Sequence, residues 1–338
     1  MGFLENYVRN MAAVVFGRQP EGPLMFSYYL THRCGLNCTY CCDGDGKRFA
    51  EEKISELSTT EAARLVDMLA RAADTLDITG GEPMLRPDLE NILSHARSRG
   101  MRTVLNTKGL GLSQRPDILK QTDILVLSLD SLDPQRLSRL IGRDRATARA
   151  ILDELSYALS HRAEAKTAVV ISVVATPTNL DDVNAVLDFA IGEKLGFQIS
   201  PEIVGTKPNP LLREEPRYRR LINRVRCAKS HGAFVLGVEA YLRGIRDFGA
   251  FRCHPLLMPV IRPDGRMYFP CLESRNAQVN LLDHDDYEAA LIAAQKRVPK
   301  GFACGDCCHI FCHMALSLLQ RHPLQAAREL QQWRRFDA

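Results

Sequence analysis

Tryptophan is nearly absent, one in 338 residues, within an aromatic share of 7%. Charge of one sign is also missing. The 44 basic residues nearly balance 40 acidic ones, and a net charge of +4 gives no nucleic-acid footprint. No apolar run approaches the twenty or so residues that a membrane helix needs, and Met11 to Phe16, the longest early run, is too short for a signal-peptide core. No long internal repeat or low-complexity tract interrupts the chain.

Cysteine, by contrast, is plentiful: the chain has eleven, in clusters, with no secretory leader before them. That distribution favours metal binding in a reducing compartment over a disulfide framework, so a cytoplasmic protein is expected.

Apolar residues at spacings of three and four over residues 3 to 15 predict an amphipathic helix. A helix packed on the domain and an interfacial helix touching a membrane surface are both open readings. From Leu24 apolar runs alternate with amphipathic stretches. Strands are expected at 24–31, 75–79, 102–106, 124–129, 167–174 and 196–200, with Ser58 and Glu61 at capping-box spacing before the first intervening helix. Six β/α units imply an α/β fold, a partial (β/α)6 barrel of the TIM type, with its working loops at the C-terminal strand ends.

The expected divisions are an N-terminal helix (1–22), the barrel (23–205), a helical connector (206–250), a small cysteine-rich domain (251–313) and a C-terminal helix (314–338). "LLMPVIRPDGRMYFPC" reads as two short strands around the turn Pro263-Asp264-Gly265.

Cys34, Cys38 and Cys41 lie on a loop directly after the first strand. Zinc prefers a closed set of four ligands, whereas three thiolates on one loop suit a four-iron cluster with one iron left open. At the end of the second strand "DITGGEP" supplies Gly80, Gly81, Glu82 and Pro83. Glycines let a ligand approach the backbone, and Glu82 can accept from an ammonium group. Cys42 adds a thiol beside the third ligand; it reads as a small non-ligand residue, the alternative being a cluster with no open iron.

These motifs, with Tyr40 just before the third cysteine, resemble the signature of the radical S-adenosylmethionine superfamily. The resemblance implies an enzyme in which S-adenosylmethionine chelates the open iron and is reductively cleaved to a 5′-deoxyadenosyl radical that abstracts hydrogen from substrate. It also implies a low-potential electron donor such as flavodoxin or ferredoxin. It places the methionine amino group at Gly80-Gly81-Glu82-Pro83 and the ribose hydroxyls at Ser128 and Asp130 in "LSLDS". Arg143 is the candidate for the methionine carboxylate, with Arg139 and Arg145 close in sequence. "LNTKG" at 105–109 departs from the commoner Thr-Asn-Gly of the family. Thr176, Asn179, Gln198 and Ser200 are candidates either to line the cofactor or substrate side or to cap helices.

A second constellation comprises Cys253 and Cys271 flanking the expected hairpin, then Cys304, Cys307, Cys308 and Cys312. It resembles the twitch form of the SPASM domain, which carries one auxiliary four-iron cluster. The ligand set implied is Cys253, Cys271, Cys304 and Cys307, with Cys308 or Cys312 as substitutes. Structural zinc is the alternative there, with His309 and His313 as donors, while His254 is read as serving the loop. Cys227, alone in a helical stretch, is read as inert, or as a hydrogen-atom donor to a substrate radical.

Oxidation or epimerisation of a small carbinol or sugar-like molecule is the expected reaction. Peptide maturation and lipid modification by the same chemistry are alternatives, and a non-enzymatic zinc protein is the alternative of another class.

Overall fold

The computed structural model describes residues 2–16, 18, 20, 22–41, 53–274, 277–297 and 308–336. Six parallel strands form its centre: β1 (Phe26–Thr31), β2 (Thr75–Gly80), β3 (Arg102–Thr107), β4 (Ile124–Ser128), β5 (Ala168–Ala175) and β6 (Gly196–Pro201), neighbours in that order. The helices of this part are α1 (Phe3–Val15), α2 (Thr59–Ala72), α3 (Leu89–Ser98), α4 (Pro116–Lys120), α5 (Pro134–Leu140), α6 (Arg145–Ala165) and α7 (Leu180–Gly192). The alternation of strand and helix produces an open, partly closed barrel, as its parallel crossovers require. Ser58 caps α2 as its spacing predicts: its Oγ accepts from the Glu61 amide at 3.3 Å while Glu61 Oε2 accepts from the Ser58 amide at 2.9 Å.

Strand alternation divides the sheet into two faces. Leu105, Leu125, Leu127, Ile171 and Val173 join the large apolar core. On the other face Val104, Ile124, Val126 and Val170 form a smaller cluster with Leu236, closed by Phe234, Phe311 and Trp333. On the same face Ser27 and Asp77 pair in register beside Val104, and above the apolar floor Ser128, Ser172 and Gln198 run across β4, β5 and β6.

Past β6 comes a two-stranded ribbon, β7 (Ile203–Val204) and β8 (Lys207–Pro208), followed by α8 (Pro210–Glu214), α9 (Pro216–Ser230) and α10 (Glu239–Asp247). The expected hairpin is present as β9 (Val260–Ile261) and β10 (Arg266–Tyr268), with Gly265 at φ 80° in its turn. A third strand, β11 (Ala277–Asn280), extends it. The hairpin does not stand apart from the barrel. β9 pairs in parallel with β1, Ser27 opposite Val260, so all nine strands form one sheet in the order β11-β10-β9-β1-β2-β3-β4-β5-β6. An otherwise bare edge of β1 is thereby covered. The chain ends in α11 (Tyr287–Arg297), α12 (Phe311–Arg321) and α13 (Pro323–Phe336).

Helix α1 is seated on the domain: Tyr7 Oη donates to the Leu319 carbonyl at 3.1 Å, and Asn6 Nδ2 donates to the carbonyls of Pro23 (2.7 Å) and Ala72 (2.9 Å). Leu4, Val8 and Phe16 stay exposed on its outer side. No described helix is long and apolar enough to cross a membrane.

Candidate active site

The cysteine loop leaves β1 and is tied to the turn after β2. Gly81 N donates to Thr31 O and Glu82 N to Arg33 O, both at 2.8 Å. A Cβ on Gly81 would lie 2.2 Å from the Arg33 carbonyl oxygen, so only glycine permits this approach. The far side of the loop rests on the end of α5, where the amides of Asn37 and Thr39 donate to the carbonyls of Ile141 (2.9 Å) and Leu140 (3.0 Å). Arg143 Nε donates to the Gly35 carbonyl, which places this arginine on the cysteine loop. Arg139 and Arg145 are exposed.

Cys38 is buried, Cys34 half-buried and Cys41 exposed. Burial pushes the thiols of Cys34 and Cys38 up, while the Lys108 ammonium works in the opposite direction. Among the described residues no three Cys, His, Asp or Glu side chains are gathered around a single metal position, so these cysteines share a loop without converging. Their donor chemistry nonetheless fits an iron cluster: three thiols on one short loop, two of them screened from water and close to a buried cation that favours thiolate.

Glu82 is buried and its carboxylate is largely engaged. Oε1 accepts from Thr107 Oγ1 at 2.5 Å and from Met84 N at 3.1 Å, and Oε2 accepts from Lys108 N at 3.0 Å. A carboxylate has about four lone-pair positions, so one remains. Burial raises the Glu82 pKa in spite of these donors, and a cation arriving at that last position would hold the charge in place.

Beside it lies a feature that the sequence did not disclose. Lys108, at the Asn position of the commoner Thr-Asn-Gly motif, points its ammonium at Asp130 Oδ2 (2.9 Å) and Tyr40 Oη (3.1 Å). Tyr40 itself donates to Asp130, and Val174 N donates to Asp130 Oδ1 at 2.9 Å. Burial acts to lower the Lys108 pKa, but Asp130, Cys38 and Glu82 around it prevail and raise it. Asp130 thus reaches the site already fixed by three donors, with one lone-pair position left.

Thr176 and Asn179 bond within the turn that follows β5. Asn179 Oδ1 accepts from Thr176 N at 2.8 Å and its Nδ2 donates to Val174 O at 2.9 Å, which closes the turn after β5. Gln198 and Ser200 are half-buried on β6, and Gln198 Nε2 donates to Ser172 Oγ at 3.2 Å.

In the C-terminal part Cys271 and Cys308 are buried and Cys253 and Cys312 half-buried; Cys42, Cys304 and Cys307 lie outside the described residues. His309 Nε2 and His313 Nε2 lie against the backbone carbonyls of Gly249 (3.2 Å) and Met258 (3.3 Å). Those imidazoles serve the local backbone. The amide of His254 donates to Ser317 Oγ at 2.8 Å, fixing the segment after Cys253. Cys227 is exposed on α9, 3.6 Å from His231 Nδ1.

Residues 28–190 match the family model described as the Radical SAM superfamily. The chain is 32% identical over 195 residues to the GTP 3′,8-cyclase of Mycolicibacterium smegmatis, which covers 53% of this chain and 52% of that protein. It is 34% identical over 175 residues to the probable GTP 3′,8-cyclase of Methanocella arvoryzae, covering 50% and 54% respectively. The chain therefore spans about half the length of the curated relatives it matches. Streptococcus suis SuiB, in its crystal structure bound to S-adenosylmethionine, shares the fold: TM-score 0.62 at 20% identity, over 83% of this chain and 68% of that one.

Proposed function

Because this chain belongs to the radical SAM enzymes, its family domain spanning residues 28–190, we propose that it cleaves S-adenosylmethionine reductively at Cys34, Cys38 and Cys41 and abstracts hydrogen from a small hydroxyl-bearing molecule. The observation that carries this reading is the attachment of the Glu82 turn to the cysteine loop through the Arg33 carbonyl, which sets a buried carboxylate against the loop that carries the three thiols, near enough for its charge to act on Cys34.

Three thiolates on that loop would hold the cluster, whose bound form supplies the electron that breaks a sulfonium bond and leaves a hydrogen-abstracting carbon radical. The remaining lone pair of Glu82 accepts from the methionine ammonium, and the Arg143 guanidinium, already anchored on Gly35, has further donors for the methionine carboxylate. Asp130, held by Lys108, Tyr40 and Val174, offers its last position to a ribose hydroxyl, with Ser128 on the same strand end. Gly80 and Pro83 shape the turn.

Half-buried Ser172, Gln198 and Ser200 give the concave face hydroxyl and amide groups above an apolar floor, which suits a carbinol or sugar-like substrate undergoing oxidation or epimerisation. Residues 251–313 form the auxiliary-cluster unit in this reading, with Cys253, Cys271, Cys304 and Cys307 as ligands; an electron donor of the flavodoxin or ferredoxin kind serves the first site.

The test is iron and acid-labile sulfide per chain after anaerobic reconstitution, with 5′-deoxyadenosine as the product assayed. Wild type should hold about eight irons and the Cys34→Ala/Cys38→Ala/Cys41→Ala variant about four, with no reductive cleavage. Zinc without sulfide, or cleavage retained by the variant, contradicts the proposal.

A further inference from the structure

Asp77 sits in the middle of β2 with its side chain on the concave face, paired in register with Ser27 of β1 and Val104 of β3. Only 5% of it is exposed. Ser27 Oγ donates to its Oδ2 at 2.9 Å and Asn106 Nδ2 donates to its Oδ1. Both donors are neutral. Among the described residues no cation forms an ion pair with Asp77, whereas the other buried carboxylate of this face, Asp130, has Lys108. Burial pushes the Asp77 carboxyl up to about 6; Tyr29 and Cys312, which pack against the β9 residues, are raised chiefly by their own burial, with the Asp77 charge adding to it.

A carboxylate taken out of water and given two neutral hydrogen bonds is poorly compensated. A structural role would be served as well by an amide or an apolar residue. Each oxygen still has an acceptor position, and the strand places it three residues, about 10 Å, below Gly80 at the cofactor end. In register Asp77 lies level with Val104 and Ile124 of the apolar floor, and Ser128, Ser172 and Gln198 stand on the same face four residues further towards the C-terminal strand ends, on β4, β5 and β6.

From this we infer that Asp77, oriented by Ser27 and Asn106, is the substrate anchor at the base of the barrel and receives the ammonium group of an amino-bearing, hydroxyl-rich small molecule. The inference rests on the reading of the concave face as a substrate cavity and narrows it to cationic polyols of the amino-sugar kind. The cation neutralises Asp77 while its hydroxyls extend along the same face towards the C-terminal strand ends, the direction in which Ser128, Ser172 and Gln198 stand. A phosphate-rich anion is disfavoured at this position because it would face an uncompensated carboxylate.

The test uses the anaerobically reconstituted enzyme with D-glucosamine, D-glucose and D-glucose 6-phosphate as probes, titrated by calorimetry at pH 7 up to millimolar concentration. Wild type should bind glucosamine about ten- to a hundredfold more tightly than glucose, the range for a charge-assisted hydrogen bond. The Asp77→Asn variant should lose that preference. It should also melt at a higher temperature than wild type at pH 8, because the amide removes an uncompensated charge; a carboxylate that merely braces Ser27 and Asn106 would shift melting downward. Iron and sulfide are assayed in the same samples, so failure of the cluster reading is distinguished from failure of the anchor. Equal affinity for glucosamine and glucose, no saturable glucosamine binding, preference for the phosphate, or a variant that melts lower overturns the inference.

Discussion

Replacing Lys108 by methionine would strand Asp130. That carboxylate is 1% exposed and Lys108 8% exposed, so the pair is nearly dry and breaking it leaves a buried charge. Loss of one partner from such a pair costs about 3–5 kcal/mol. Tyr40 and Val174 remain as donors to Asp130, which places the expected loss near the lower end, about 3 kcal/mol. Asp130→Asn added in the same chain removes the stranded charge and should recover more than half of the loss, a coupling of about 2 kcal/mol. The assay is urea denaturation of wild type, both single variants and the double variant, purified in parallel without oxygen. A Lys108→Met loss below about 1 kcal/mol, or strictly additive single effects, would refute the view that this ion pair is dry and mutually dependent.

Two further outcomes concern the loops that build the site. Gly81→Ala should destabilise the fold by about 1–3 kcal/mol and weaken S-adenosylmethionine binding at least about tenfold, because its Cβ meets backbone oxygen of Arg33 at 2.2 Å; wild-type melting and affinity in equilibrium dialysis would rule out that crowding. Asp88 is drawn down to about 2 by its Arg86 fork, and Arg86 also donates to Leu57 O at 3.1 Å. A depressed carboxyl stabilises above its unfolded pKa and loses that contribution as pH falls through its folded one. Asp88→Asn should therefore cost about 2 kcal/mol at pH 7, and its gap from wild type should narrow as pH drops from 4 towards 2; a gap independent of pH in that window would exclude the linkage.

The strands were legible because buried parallel strands are short apolar runs between turn signals, and "ILVLS" and "AVVISVVA" have no competing period. The cysteine loop and GGEP were legible because their chemistry is local. Asp77 was not: as one of three alternating polar residues in "TLDITG" it fits any half-buried strand, and its neighbours Ser27 and Val104 come from β1 and β3. Lys108 likewise reads as a surface residue until Asp130 and Tyr40 arrive from elsewhere in the chain. Thr176 and Asn179 have cavity-lining chemistry, yet a turn consumes it within four residues. The union of β9 with β1 has no sequence signal, since β9 is two residues long.

That union has a consequence for synthesis on the ribosome. β1 emerges early, but its partner on one side, β9, follows roughly 230 residues later, a delay of about 10–50 s at ordinary elongation rates. Through that interval the strand that carries the cysteine loop has an open edge, apolar and ready to pair with another chain. Expression yield should therefore respond to elongation rate and to holdase supply more than the stability of the finished enzyme would suggest. A chain released before Val260 would keep the cysteine loop and the Glu82 turn and still be prone to aggregate.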